Sequence, residues 1–536
     1  ETFVSEKDHM TARVSLRRGE VAFRAKDYKA ADGLFLEAQR VDPYTWPHAL
    51  NATLSGWLAK RLTAAEVLAA LEALRPAEPL GQAEVAVHMG NLLKQAQEMQ
   101  RQIDRVRADL RARVVEGTAG GGVVRVAYRA VFPSAMAIAA TGDPANAERA
   151  AAAVARGLRA DGLTVDHAPV CDVNVEPRNP VIGTRSFGDD PDRVAAFAAA
   201  WVRGSEGAGV ASTAKHFPGH GATAYDTHVT TVDVNDDLAT IRARDLVPFR
   251  AAFAAGASSV MAAHVRYGAL DPDDVATLSR PILTGLLREE LGFRGLAMTD
   301  SLDMGGVTQV EIGARILGRA VDAGMDALMI VDDLPQQLRG AEEIAIGAAA
   351  PRVLAALRRA ARFRDRFAAD PGDDVDDGPA RALAAEIAAA AVTHVGPPLP
   401  RLDGAVRVSA FTPERLALVE ELADTLGMFE DALRRRFGGR LRFARDGAEP
   451  EGEGPLVVCT ASAWSDPRQA ARARELLAHG GILCALRSPY DAALFPGVPA
   501  ILTYSDVPAS LDALAAALAG ERPATGRLPV RLPRNA

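Results

Sequence analysis

The densest chemistry in the chain lies in one stretch, Lys215-His216-Phe217-Pro218-Gly219-His220-Gly221-Ala222-Thr223-Ala224-Tyr225-Asp226-Thr227-His228. An apolar run ends in Lys215-His216 and enters a Pro/Gly loop that carries two further histidines and an aspartate. Core packing explains one such histidine, not all of them. A metal centre is one reading, because imidazole is a common ligand. The stretch has no cysteine and no histidine pair on a regular helix, which argues against it. The stronger reading is sugar binding with proton transfer. Asp226 stands two residues before His228, so its carboxylate can orient the imidazole and stabilise its cation. An imidazole that titrates near neutrality can give a proton to a leaving oxygen and then take one from water.

The second signal is Ala297-Met298-Thr299-Asp300-Ser301-Leu302-Asp303-Met304. A strand-like run leads straight into a carboxylate at its polar end. One reading is a helix N-cap, a common place for Asp after a strand. The other is a nucleophile for covalent transfer.

Both signals need a scaffold that ends strands in ligands. From Phe132 onward, apolar runs alternate with Ala/Arg-rich helical stretches. The runs Leu163–Pro169, Ser212–Phe217, Ser258–Val265, Gly295–Ser301 and Met325–Val331 read as strands. Strand-helix alternation with polar residues at strand ends predicts a (β/α)8-type barrel with its site at the C-terminal face. An acidic linker spans Asp370 to Pro379. Beyond it, Val406–Phe411, Leu456–Thr460, Ile482–Leu486 and Ile501–Tyr504 predict a second, α/β sandwich domain over 380–536, after a barrel domain over 131–369.

The first 130 residues have a different texture. Over 11–47, Gly19, Ala22, Asp27, Tyr28, Ala31, Phe35, Ala38 and Pro43 fit one tetratricopeptide repeat. About three such repeats are needed to bury a common face, so a small helical cap over 1–88 is expected rather than a peptide groove. Over 89–130, Leu92, Ala96, Met99, Ile103, Val106 and Leu110 form one apolar helical stripe. A Gly turn and the alternating Val123–Val126 strand follow. This segment resembles the start of the YbaB-type nucleoid-associated proteins, which bind DNA, but covers less than half of that fold.

Bulk properties narrow the field. The 536 residues are 48% hydrophobic and 24% charged, with a net charge of -8. Nucleic acid is therefore not an expected partner. No apolar run reaches the roughly 18 residues of a membrane span, and Glu1–Met10 is not a secretory leader. Cys171, Cys459 and Cys484 are too scattered for a disulfide framework. Together these favour a reducing, cytoplasmic setting.

Four motifs together carry a more specific resemblance. They are Lys215–Gly221 with Asp226 and His228, Thr299–Met304, Asn179-Pro180-Val181-Ile182-Gly183-Thr184-Arg185-Ser186-Phe187-Gly188, and Phe132-Pro133-Ser134-Ala135-Met136. They are similar to family 3 glycoside hydrolases, and to the NagZ-type β-N-acetylglucosaminidases in particular. The similarity is strongest over 132–345 and looser over 380–536, where Gly526-Arg527-Leu528-Pro529-Val530 resembles the ending of two-domain members.

The resemblance implies a retaining hydrolase of terminal β-linked N-acetylglucosamine in cell-wall fragments or chitooligosaccharides. Asp300 would be the nucleophile and Asp226–His228 the acid/base. Lys215, His216, Arg185 and Asp172 would hold the sugar. The substrate is a small glycan, and no metal or organic cofactor is implied. Phosphorolysis is the nearest alternative reaction; a binding role without catalysis is the alternative of another kind. One departure stands out. The family's D-Q-E-G-G-type strand, which supplies an Asp and an Arg to the sugar, is absent, and the Gly-rich 117–122 segment takes its place. The barrel is therefore expected to lack its first two strands.

Overall fold

A computed structural model describes residues 130–227, 230–310, 315–330, 340, 344, 350–368, 375–413 and 425–533. The tetratricopeptide-like pair, the YbaB-like segment and the expected loss of the first strands all fall outside the described residues. The chain forms two compact units. One takes in Glu1–Val124, Leu317–Asp322 and Asp332–Arg358; the other takes in Arg125–Ile316, Ala323–Val331 and Arg359–Ala536. The described part of the first is helical, being the middle of Arg315–Ala323 and the first half of Ala350–Phe367. The second unit carries the sheets.

Its described residues form three sheets. The first is built from β1 (Val165–Asp166), β2 (Ala211–Phe217), β4 (Ser259–Ala262), β7 (Leu296–Ser301) and β8 (Ala327–Met329). These pair in sequence order and all run parallel. Five of the expected barrel strands are thus in place, each shorter than or close to its predicted run. Burial of the central strands β2, β4 and β7 explains their near-continuous apolar sequences, since a central parallel strand is covered on both faces. Met261, Leu296 and Met298 pack with Ala327, Met329, Ala360 and Phe363 in one cluster beside the sheet.

The second sheet is small: β3 (Val232–Val234), β5 (Val265–Tyr267) and β6 (Asp271–Val275). It corrects the expectation of one strand over Ser258–Val265. That run breaks after Ala262, and Val265 opens a strand that pairs with β3 instead. Ala263 and His264 form the break.

Helices cover the parallel sheet. Ala145–Ala160 packs on Pro191–Gly207, which packs on Leu246–Ala254. The first contact is close because its residues are small. Ala147, Ala150 and Ala151 are buried, and a Cβ at Gly204 would run into the Glu148 carbonyl. Asp190 caps the middle helix by accepting from the Arg193 N–H at 2.8 Å, and Pro191 presets its first turn.

The third sheet lies in the region expected to form a sandwich domain. Its order is β11-β10-β12-β13-β14-β9, with β9 (Thr393–Val395), β10 (Val406–Ala410), β11 (Leu441–Arg445), β12 (Leu456–Thr460), β13 (Ile482–Ala485) and β14 (Ala500–Leu502). Only β9 runs antiparallel, at the edge. Helices Thr425–Phe437 and Pro508–Leu518 bury Phe429, Leu433, Leu511 and Leu514 in one core cluster of this sheet. Helices Pro467–Leu477 and Ala135–Ala140 supply a second cluster. The Phe132–Met136 motif thus leads into a helix that packs on the sandwich sheet, where Ser134 Oγ donates to the Tyr504 carbonyl at 2.7 Å. Pro379 stands in the first turn of helix Gly378–Ala391 rather than in a linker.

Candidate active site

Because the five strands are parallel, their C-terminal ends lie on one side, and the predicted ligands arrive there by register. Lys215 and His216 stand just before Phe217, the last residue of β2, and Asp300 stands one residue before the end of β7. The β2–β4 pairing skips a residue, with Lys215 opposite Met261 and Phe217 opposite Ala262. Such a bulge re-aims the extra residue, here His216. The Lys215–His216 and Phe217–Pro218 peptides are cis.

Asp172 is the anchor of the site. Its side chain has no exposed surface, and it accepts three hydrogen bonds: from the His216 N–H at 3.1 Å, the His220 N–H at 2.6 Å and His216 Nδ1 at 2.7 Å. Burial alone would raise the Asp172 carboxyl. The charge and hydrogen bonds of His216, then of His220, outweigh it and hold the group below the ordinary carboxylate range. Asp172 therefore orients a histidine from below.

His216 in turn presents Nε2 at 3.9 Å from Asp300 Oδ2. Burial pushes the His216 imidazole toward neutrality, against the pull of Asp172. Asp300 keeps 24% of its side chain exposed, enough to meet a ligand. Burial pushes its carboxyl up, but His216, His264, the Ser301 N–H at 2.8 Å and Lys215 together hold it down. It is a carboxylate at neutral pH, as a nucleophile must be.

Two cations flank this pair. Burial first, and then Arg185, press the Lys215 ammonium down to about 8; Asp300, Asp166 and Asp172 oppose them. Arg185 is anchored by Nη1 donating to the Val181 carbonyl at 2.9 Å. Burial lowers it too, with Asp172 and Asp300 opposing. Its loop is set by Asn179, whose Oδ1 accepts from the Val181 and Ile182 N–H groups.

The loop that carries Asp226 is held at Thr227 from two sides. Thr227 Oγ1 lies 2.9 Å from His220 Nε2, and the Gly306 N–H donates to the Thr227 carbonyl at 2.8 Å. Burial chiefly, then the charge of His216, holds His220 at about 4, so its ring is neutral. A Cβ at Gly221 would run into the Val173 backbone, which is why the loop needs glycine there. Asp226 sits in this loop, and its carbonyl accepts from Thr230. His228 lies outside the described residues.

The structure therefore joins Asp172, His216, Asp300, Lys215 and Arg185 in one electrostatic cluster and brings the backbone beside Asp226 against the loop after Asp300. Two histidines with a role in this framework carried no separate weight in the sequence reading. His220 looked like one more loop histidine. His264 was hidden in an apolar run, although a lone polar residue closing a strand was the same signal that marked Asp300. Among the described residues no group of three or more His, Cys, Asp or Glu is placed to hold a metal ion, and no helix is long and apolar enough to cross a membrane.

Residues 79–362 match the Glycosyl hydrolase family 3 N terminal domain. The chain belongs to this family. The matched span begins upstream of residue 131, where the change of texture placed the start of the barrel. A β-hexosaminidase of Stenotrophomonas maltophilia (strain K279a) is 44% identical over 185 residues, which are 34% of this chain and 54% of that protein. A β-hexosaminidase of Pseudomonas aeruginosa (strain LESB58) is 39% identical over 233 residues, 43% of this chain and 67% of that protein. The chain spans about half the length of the first of these relatives. Among solved structures, a family 3 β-N-acetylglucosaminidase from Paenibacillus sp. str. FPU-7 superposes with a TM-score of 0.69 at 29% identity, over 78% of this chain and 86% of that one. The family fold is a TIM-type barrel, and the five parallel strands are the described arc of it.

Proposed function

We propose that the chain is a retaining exo-hydrolase of terminal β-linked N-acetylglucosamine, acting on peptidoglycan fragments or chitooligosaccharides. The observation that carries this reading is Asp300: an ionised, partly exposed carboxylate at a strand end, with His216 and Lys215 in its field. The names of the relatives above point to the same substrate class.

In the first step Asp300 Oδ attacks the anomeric carbon, and the bond to the leaving oxygen breaks. His228, oriented by Asp226, gives that oxygen its proton. In the second step His228 takes a proton from water, and the resulting hydroxide displaces Asp300 with a second inversion. A histidine here replaces the second carboxylate of most glycosidases. Lys215, His216 and Arg185 hold the sugar hydroxyls, and Asp172 holds His216 in place.

The test is product analysis on 4-nitrophenyl β-N-acetylglucosaminide with and without inorganic phosphate. Free N-acetylglucosamine in both arms is expected. A sugar 1-phosphate in the phosphate arm would make the reaction phosphorolysis, and no turnover in either arm would refute the reading. Asp300→Ala should lose at least about 1,000-fold in kcat/KM, since removal of a catalytic nucleophile costs several powers of ten.

A further inference from the structure

Both backbone groups of Ser301, the residue after Asp300, are hydrogen-bonded. Its N–H donates to Asp300 Oδ1 at 2.8 Å. Its carbonyl faces His264 Nε2 at 2.9 Å. A carbonyl can only accept, so Nε2 carries the proton and donates. The other ring nitrogen, Nδ1, lies 2.7 Å from Thr277 Oγ1, and that hydroxyl lies 2.9 Å from the Ala263 carbonyl. His264 is 1% exposed. Contacts thus lead from Asp300 Oδ1 to the backbone of Ser301, whose N–H and carbonyl lie in adjacent peptide units, and on to the His264 ring, Thr277 and the Ala263 carbonyl.

The backbone of His264 also meets the acid/base loop. A Cβ built on Gly306 would stand 3.0 Å from the His264 carbonyl oxygen, 3.1 Å from His264 Cβ and 2.8 Å from the Thr227 carbonyl oxygen. Gly306 is therefore wedged between His264 and Thr227, and its N–H holds Thr227. The break between β4 and β5 places His264 there. A strand continuing straight through Ala263 and His264 would stay in the ladder with β7.

We propose that His264 is a positioning residue: its Nε2–H fixes the Ser301 peptide that aims Asp300, and its backbone seats Gly306 against the loop that carries the acid/base pair. The proposal rests on the hydrolytic reading above. It assigns His264 no contact with the sugar. Loss of the Nε2 donor frees the Ser301 backbone and so loosens the carboxylate's aim without removing the carboxylate.

The experiment compares His264→Gln with His264→Asn in the full chain. Gln can place an amide N–H where Nε2 stands; Asn reaches only the Nδ1 position. Melting temperature and circular dichroism check that both fold. Asn is expected to lower kcat by about 100-fold, the cost of a misplacement near 1 Å, with KM within about threefold. Gln should recover at least about tenfold of that loss. The loss should be alike for activated and unactivated leaving groups, because aim and not protonation is affected. Equal rates in Gln and Asn, or an Asn variant within about threefold of the parent, would overturn the proposal. Should Asn fail to fold, Thr277→Val, which frees the ring at Nδ1, takes its place, with a fall in kcat at constant KM again expected. An inactive parent chain would refute the hydrolytic reading itself and leave His264 nothing to position. An active parent with indifferent variants would refute only the role of His264.

Discussion

Asp172 accepts from both the ring and the backbone nitrogen of His216, at 2.7 and 3.1 Å. One buried carboxylate thus fixes where the imidazole is and which way it points. The ring can then face Asp300 across 3.9 Å without freedom to turn away.

Asp172→Asn tests that arrangement. The amide cannot accept with both of its heavy atoms, so one of the two grips on His216 is lost. Activity should fall by about 10- to 100-fold through misplacement. Stability should fall by roughly 1–3 kcal/mol, because a buried donor is left without its partner. The pH dependence has a definite sign. The folded Asp172 carboxyl titrates below its unfolded value near 3.9, so its stabilisation is full above that value and is lost as pH falls through the folded one. The gap in melting temperature between parent and Asp172→Asn should be widest at neutral pH and shrink below about pH 4. A constant gap down to acid pH would contradict it.

His228→Ala should separate substrates by leaving group. On kcat/KM, which reports the first step, an alkyl N-acetylglucosaminide should lose about 100-fold or more, the usual contribution of a general acid. A dinitrophenyl substrate needs little protonation and should lose far less. Equal losses would remove His228 from the acid role.

Lys215 gives an alkaline limb. Its ammonium titrates at about 8, and only the charged form can donate to sugar hydroxyls with all three protons. A fall in kcat/KM above about pH 8, by one proton, is expected. Lys215→Arg keeps the charge far beyond that pH, so its limb should move well up even if its rate is lower. An unchanged limb in Lys215→Arg would assign the titration to another group.

Much of this was legible in sequence. The strands that end in Lys215-His216 and Asp300 were visible because a buried parallel strand must be apolar and its ligand must follow it. Asp172 and Arg185 were reached only through the family resemblance, since neither residue's own neighbours announce a ligand. His220 and His264 were not separated out, because their work is done through partners distant in sequence: Asp172 for one, Ser301 and Thr277 for the other. The β4–β5 break was missed for a similar reason. Val265 is as good a strand former as Val260, and only its pairing with Val232 shows that it belongs to a different sheet. The short β9 and the β11 strand carried too little apolar pattern to be singled out.

Two aspartates at opposite ends of the parallel sheet should respond oppositely to substitution. Asp326 stands just before β8, at the N-terminal side of the sheet, while Asp300 stands near the C-terminal end of β7. Asp326 has no exposed side-chain surface. It accepts from Arg288 Nη2 at 2.6 Å, Arg359 Nε at 2.7 Å and the Ala297 N–H at 2.9 Å. It therefore ties the start of β7 to two helical segments, at the opposite end of that strand from Asp300. In a barrel, this side serves stability and the opposite side serves chemistry. Asp326→Ala leaves the nearly buried Arg288 and the partly exposed Arg359 without their carboxylate, a loss of about 3 kcal/mol, the lower end for a broken buried pair. The melting temperature should drop steeply. The fraction that remains folded at low temperature should keep kcat/KM within about threefold of the parent, because the strand ends that carry Asp300 and His216 are fixed by other contacts. Asp300→Ala should do the reverse: little change in melting temperature and near-complete loss of turnover. If Asp326→Ala removed activity while the protein stayed as stable as the parent, the division between the two ends of the sheet would be wrong.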